Sequence, residues 1–324
     1  MARILITGGA GFIGYHLARR LLKDNHHVDL IDNFSRGSWD AEFKELLNHP
    51  NIGFFDIDLL DAKALFKLKD AYDAIFHFAA LIGVKQVIRD PFSVLYKNTS
   101  MLNHLIQFAR RQSRLKRLIF SSTSEVYAGT LQYFQIPFPT PEGTPLTVTE
   151  LSHPRTSYML SKIYGEALCH YSDLPFTIVR LHNIYGMRMG MDHVIPELLM
   201  KVHHASPSVG ASELSVQNAS HSRTFCFIED AVEMIVRLSE HPESVGKVLN
   251  VGNQAPEITI GNLALEIVKI MKKKMTIVPM DGPTHSPSRR CPDMRLTQQL
   301  IGYDPKNDLA TGLRRTYDWY RVNI

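Results

Sequence analysis

Three glycines set between an apolar strand and an apolar helix constrain this chain more than anything else in it. The run Arg3-Ile-Leu-Ile-Thr-Gly-Gly-Ala-Gly-Phe-Ile-Gly14 passes into Leu17, Leu21 and Leu22 at helical spacing. Strand, glycine turn and helix in that order are the context in which such a motif predicts a dinucleotide site. Gly8 permits the tight turn, Gly11 lets the backbone approach a pyrophosphate, and Gly14 lets the helix pack close to its strand. The helix start then offers unpaired N–H groups and a positive dipole end to phosphate. A second strand should end in an acid, and Val28-Asp-Leu-Ile-Asp32 does. Asp32 would accept hydrogen bonds from an adenosine ribose. That favours NAD over NADP, because a 2′-phosphate would meet a carboxylate.

Strands and helices alternate up to about residue 180. Apolar runs at 52–57, 74–78, 118–121 and 176–180 read as strands. Helices are expected over 62–68, over 93–111 and from Pro154 through Tyr171. Near-continuous apolar strands joined by helices predict an α/β fold with a doubly wound, Rossmann-type parallel sheet covered on both faces. Beyond residue 181 the strands are short (213–216, 248–251) and the connections irregular. This texture predicts a smaller, mixed α/β C-terminal substrate lobe over the ligand-binding edge of the sheet. The expected division is a dinucleotide-binding domain over 1–180, rejoined by about 224–250, with the substrate lobe mainly in 181–324.

A net charge of +4 with interspersed signs leaves no nucleic-acid footprint. Cys169, Cys226 and Cys291 are far apart, show no paired metal spacing and fit a reducing cytosol. No apolar run reaches membrane-spanning length, and a strand beginning at residue 3 leaves no room for a signal peptide. A cytoplasmic chain without metal, membrane or nucleic-acid partner is therefore expected.

The strongest catalytic signal is Ser157-Tyr-Met-Leu-Ser-Lys162. Tyr158 and Lys162 are four apart on an expected helix, so they share a face. An ammonium beside a phenol favours phenolate and lowers its pKa, which suits Tyr158 to act as base on an alcohol losing hydride. Upstream, Ser121-Ser-Thr-Ser-Glu-Val-Tyr127 ends a buried strand on the ligand-facing edge. There Thr123 would hydrogen-bond the reacting alcohol. Glu125 reads either as a second acid/base or as an outward surface charge.

Further motifs run along almost the whole chain. They include Asp32-Asn33, Asp58-Leu-Leu-Asp61, His77-Phe-Ala-Ala80, Asn98 and Arg180. Asn183-Ile-Tyr-Gly186, Arg223-Thr-Phe225 with Asp230, Asn250-Val-Gly252 and Arg290-Cys-Pro-Asp293 complete them. With the glycine turn, Thr123, Tyr158 and Lys162, this set resembles the extended short-chain dehydrogenase/reductase family, in particular its NAD-dependent nucleotide-sugar epimerases, decarboxylases and dehydratases. The resemblance implies NAD as cofactor, a nucleotide-diphosphate sugar as substrate, and a homodimer formed through helices 93–111 and 154–171. It implies that Gly8, Gly11, Phe12, Ile13, Gly14, Asp32 and Asn33 hold the cofactor. Asp58 and Leu59 would hold its adenine, and Ala79, Ala80 and Asn98 would line its path to Tyr158 and Lys162. Ser124, Asn183, His193, Arg223 and Arg290 would contact the substrate, the arginines at its diphosphate.

This chain departs from the family pattern at Val126-Tyr-Ala128 and at His193, where several epimerases have asparagine. The long 128–154 segment, rich in Pro and aromatics, is a third departure and is expected to cover the site. The resemblance implies oxidation at the sugar C4, with Tyr158 taking the hydroxyl proton. A 4-epimerase is the first expectation. A UDP-glucuronate decarboxylase is second, since Thr123-Ser124-Glu125 and Pro154-Arg155 before Tyr158 look like those enzymes too. A 4,6-dehydratase or 4-dehydrogenase follows, and outside enzymes stands an NAD-sensing regulatory protein.

Overall fold

The computed structural model describes residues 1–205, 212–282 and 287–323. Seven strands form one parallel sheet: β1 (Arg3–Thr7), β2 (His27–Asp32), β3 (Ile52–Asp56), β4 (Ala74–His77), β5 (Arg117–Thr123), β6 (Phe176–Leu181) and β7 (Val248–Val251). Their order across the sheet is β7-β6-β5-β4-β1-β2-β3. The direction of winding reverses between β1 and β4, the point at which an open α/β sheet leaves a crevice at its C-terminal edge. The interior strands are buried on both faces. This is why Ile4, Leu5 and Ile6, or Leu118, Ile119 and Phe120, run without a polar break. The 248–251 segment, short like the strands around it and lying where the chain is expected to rejoin the first domain, pairs with β6 through Val248–Ile178 to Val251–Leu181. Its apolar, β-branched residues extend the main sheet's core.

The glycine turn has the geometry its residues imply. Gly8 sits at φ +76°, and its N–H donates to Ile31 O at 2.8 Å. Helix α1 (Phe12–Lys23) then starts so close that a Cβ on Gly14 would lie 2.1 Å from Gly8 O. The close approach is thus to the turn itself. Helix α2 (Pro91–Arg110) begins two residues before the expected 93, because Asp90 caps it through Ser93 N (3.1 Å) and Pro91 needs no N–H partner in the first turn. Helix α3 (Thr156–His170) packs on α2 and β5. A Cβ on Gly165 would fall 2.4 Å from Phe120 Cζ, so glycine sets the approach that carries Tyr158 and Lys162 to the sheet edge.

Smaller elements complete the outer part of the molecule. These are helix α4 (Val194–His204), helix α5 (Ile228–Glu240) packed on α1, the C-terminal helix α6 (Leu309–Asn323), and short strand pairs such as Ser222–Arg223 with Arg289–Arg290. The 128–154 segment does not cover the central cavity, whose walls contain none of it. Its backbone is tied elsewhere: Thr140 N donates to Cys291 O at 2.8 Å, and Asn250 Nδ2 donates to Thr140 O at 3.1 Å. Among the described residues no helix is long and apolar enough to cross a membrane.

Candidate active site

The C-terminal ends of β1, β2, β4, β5 and β6 open into one cavity of about 930 Å³. At one end Gly8, Gly11, Phe12, Ile13 and Gly14 form its floor. Helix α1 begins there without a side-chain cap, leaving first-turn N–H groups available to an anion. Asp32 also lines the cavity. Its Oδ2 accepts from Ala10 N (3.0 Å) and its Oδ1 from Phe34 N (2.8 Å). A carboxylate has further acceptor capacity on both oxygens, so ribose hydroxyls remain within its repertoire. Asn33, Asp58, Leu59, Ala79 and Ala80 line the same end. Asn98 does not. It lies behind the wall, accepting from Leu81 N at 2.7 Å and donating to Leu81 O at 3.0 Å, so it shapes the loop after β4.

At the other end α3 brings Tyr158 and Lys162 beside the hydroxyls that end β5. Thr123, Tyr158 and Lys162 line the cavity together, and the Glu125 N–H donates to Thr123 Oγ1 at 3.2 Å. The expectation that Lys162 lowers the Tyr158 pKa is corrected. Burial, and then the Glu125 carboxylate, raise the phenol above its ordinary value, opposed by Arg36 and Thr123. Lys162 instead donates to Ser121 O at 2.8 Å, and its Nζ stands 5.9 Å from the centre of the Tyr158 ring. Burial brings Lys162 down to about 8, which leaves it mostly protonated at pH 7.

Glu125 lines the cavity, so it is not an outward charge, and it is ionised at neutral pH, so it is not a proton donor there. Burial alone would raise its pKa, yet Arg290 and Arg155, with Arg223 further off, hold it at about 2. Arg290 Nη1 donates to Glu125 Oε1 at 2.7 Å and Arg155 Nη2 to the same oxygen at 3.4 Å. Because its pKa is lowered on folding, this carboxylate stabilises the native state fully above pH 4.5, and the contribution is lost as pH falls toward 2. The stability gap between the parent and Glu125→Gln, followed by urea unfolding from pH 5 to 2.5, should narrow with acid. A gap independent of pH would show that the pair does not form.

Ser124, Asn183, His193 and Arg290 are all in the cavity wall. Asn183 Nδ2 donates to Thr224 O at 2.9 Å, and His193 precedes α4 as a partly buried ring whose pKa burial lowers. Arg290 is buried, and its Nε and Nη2 have no hydrogen-bond partner among the described residues. Two orphaned donors in a cavity wall suit an anionic ligand. Arg223 is not in that wall. Its guanidinium donates to Ser222 O (2.8 Å) and Pro287 O (2.7 Å), which steadies the strand carrying Arg290. Sequence reasoning gave no role to Arg36, Arg155, Arg188 or Trp319, all of which line the cavity. Pro154-Arg155 stood beside Tyr158 as a visible signal. The others converge only through folding.

Behind the hydroxyl-rich strand end lies a buried ion pair. Glu166, one turn beyond Lys162, accepts from Arg180 Nε (2.9 Å) and Nη2 (2.7 Å) and from Ser122 Oγ (2.5 Å). Arg180 Nη1 also reaches the Tyr127 phenol at 2.8 Å. This network fastens α3 to β5 and β6 at the depth of Thr123 and Tyr158.

Comparison with known proteins agrees with this arrangement. The family model described as "NAD dependent epimerase/dehydratase family" matches residues 4–252. A UDP-N-acetyl-alpha-D-glucosaminuronate decarboxylase of Bacillus cytotoxicus is 32% identical over 98% of this chain and 98% of its own. UDP-glucuronic acid decarboxylase 1 of Danio rerio is 28% identical, over 98% of this chain and 72% of its own. Among solved structures, a UDP-glucuronic acid 4-epimerase from Bacillus cereus, in complex with UDP-glucuronic acid and NAD, superposes with a TM-score of 0.83 at 26% identity, covering 99% of this chain and all of that one (100%).

Proposed function

Because the chain belongs to the NAD dependent epimerase/dehydratase family, we propose that it binds NAD and decarboxylates a UDP-linked uronic acid through a 4-keto sugar. The observation that carries this reading is the carboxylate clamp beside Tyr158. Arg290 and Arg155 converge on one carboxylate oxygen, and Arg155, at 3.4 Å against 2.7 Å, is the looser partner. It is therefore the guanidinium a substrate carboxylate would take. The relatives named above that act on UDP-uronic acids support the same substrate class. In this reading residues 1–180, rejoined within 224–250, hold the dinucleotide, and 181–324 supply most sugar-nucleotide contacts. The orphaned Arg290 donors and Asn183 would face the diphosphate.

The cavity fits the cofactor: a glycine floor with no room for a Cβ at Gly8 or Gly14, an uncapped helix start, and Asp32 at the ribose end. When bound, NAD supplies a reversible hydride acceptor for the sugar C4. Tyr158 takes the proton of the C4 hydroxyl, with Thr123 orienting that hydroxyl. Arg155 holds the C6 carboxylate while the C5–C6 bond breaks. The bonding pair passes to the C4 oxygen as enolate, carbon dioxide leaves, and a proton from solvent adds at C5. Tyr158 then returns its proton to the C4 oxygen as the carbonyl is reduced again. Ionised Glu125 keeps Arg290 in place and is not the proton donor.

Product mass tests the reading. Incubated with UDP-glucuronate or its 2-acetamido analogue, the enzyme should release carbon dioxide, and an unchanged mass with a new isomer would overturn decarboxylation. That second outcome is the 4-epimerase reading. No turnover with any UDP-sugar would favour the sensing protein. Arg155→Met should raise KM for the uronate about 10–100-fold, the range for a hydrogen bond to a charged group, and leave UDP-glucose binding unchanged. Equal losses for both ligands would remove Arg155 from carboxylate recognition. The homodimer is also proposed: Phe92 and Tyr96 stack on α2 at 77% and 56% exposure, and Tyr164 of α3 is exposed as well; the mass in solution tests it.

A further inference from the structure

The loop after β2 carries a cation with no assigned task. Arg36 lines the central cavity four residues beyond Asp32, and its guanidinium has crossed to the opposite wall. Its Nη2 lies 3.9 Å from where a Cβ would stand on Gly83, in the loop after β4, and 3.7 Å from the equivalent point on Gly190, before α4. It is close enough to Tyr158 and Asp192 to act on both through charge. A water-accessible arginine without a partner is ordinary on an open surface. This one is inside a concave site, bridging three loops.

The neighbouring charges are already spoken for. Asp192 is held by Lys85 at 2.6 Å, and Arg188 is held by Asp40 and by Glu42. Asp32 accepts from two backbone N–H groups, and Glu125 takes Arg290 and Arg155. Arg36 alone among these makes no hydrogen bond or ion pair with any described residue. Arg36 as a whole remains exposed, and the desolvation it does undergo lowers its pKa, opposed by Tyr158 and by Asp192, whose carboxylate Lys85 already holds. Such a group gains from an anion, and its planar fork matches the spaced oxygens of a diphosphate better than a lone charge.

We propose that Arg36 is a diphosphate-binding residue that reaches from the end of β2 across the cavity to grip the ligand between Gly83 and Gly190. The inference rests on the reading of this cavity as a site for NAD and a nucleotide sugar, each of which carries a diphosphate. On binding, the guanidinium turns from Tyr158 to phosphate. The two glycines matter because side chains there would crowd the space the guanidinium sweeps.

Calorimetric titration of the full chain with ADP-ribose, NAD⁺, UDP and NADP⁺, in the parent and in Arg36→Ala, tests it. Arg36→Ala should weaken one diphosphate ligand about 10–100-fold. It should leave the ligand-free melting temperature unchanged, since Arg36 bonds no described residue. Weakened ADP-ribose and NAD⁺ with unchanged UDP assigns the dinucleotide's diphosphate. Weakened UDP alone assigns that of the sugar nucleotide. Either result supports the proposal, and Arg36→Lys should then recover part of the loss. Unchanged affinity for all ligands overturns it, as does an effect confined to NADP⁺, which would place Arg36 at the 2′-phosphate. A parent chain that binds neither NAD⁺ nor UDP overturns the functional reading as well, so the two failures are distinct.

Discussion

Tyr158→Phe should lower kcat on a UDP-uronic acid about 10²–10⁴-fold, the range for removing a positioned general base. The substitution removes one oxygen and leaves a ring that already packs against Val87 and Val94, so the fold and NAD affinity should stay near the parent's. The loss should appear in the first step, as slow formation of NADH absorbance in a single turnover. Burial raises the phenol in the ligand-free chain. Activity of the parent should therefore rise with pH toward the alkaline side, and Tyr158→Phe should flatten that limb. A variant that keeps both parental rate and pH profile would remove Tyr158 from the chemistry.

Glu166→Ala is expected to cost about 3–5 kcal/mol of stability, the usual range for leaving one partner of a buried ion pair uncompensated. Arg180 is buried and gives two of its donors to Glu166, while Ser122 gives its hydroxyl to the same carboxylate. Tyr127 and Glu142 O retain a hold on Arg180 but supply no carboxylate. Urea unfolding measures the loss. The double variant Glu166→Ala/Arg180→Met should recover part of it, because the stranded charge is then gone. Additive losses would show that packing of α3, and not the charge pair, is what Glu166 supports.

The legible part of the site was local. Gly8, Gly11 and Gly14 declare their turn by spacing, Asp32 by ending the next strand, and Tyr158 and Lys162 by standing one helical turn apart. The misreadings share another cause. Lys162 shares a face with Tyr158, as its spacing implies, yet its ammonium donates to the Ser121 carbonyl. Asn98 and Arg223 carry family positions but spend their donors on Leu81 and on the strand beside Arg290. Neither partner is visible in a motif.

By itself, then, the sequence determined the parallel sheet, the dinucleotide turn and the Tyr158–Lys162 face, because each follows from periodicity or backbone freedom over a few consecutive residues. Only the tertiary structure decided what Glu125 is, since its partner Arg290 lies 165 residues away. It likewise decided that Arg36 meets Gly83 and Gly190 across the cavity. Charge and burial at such points are set by which loops the sheet edge brings together, and no spacing in the chain records that meeting.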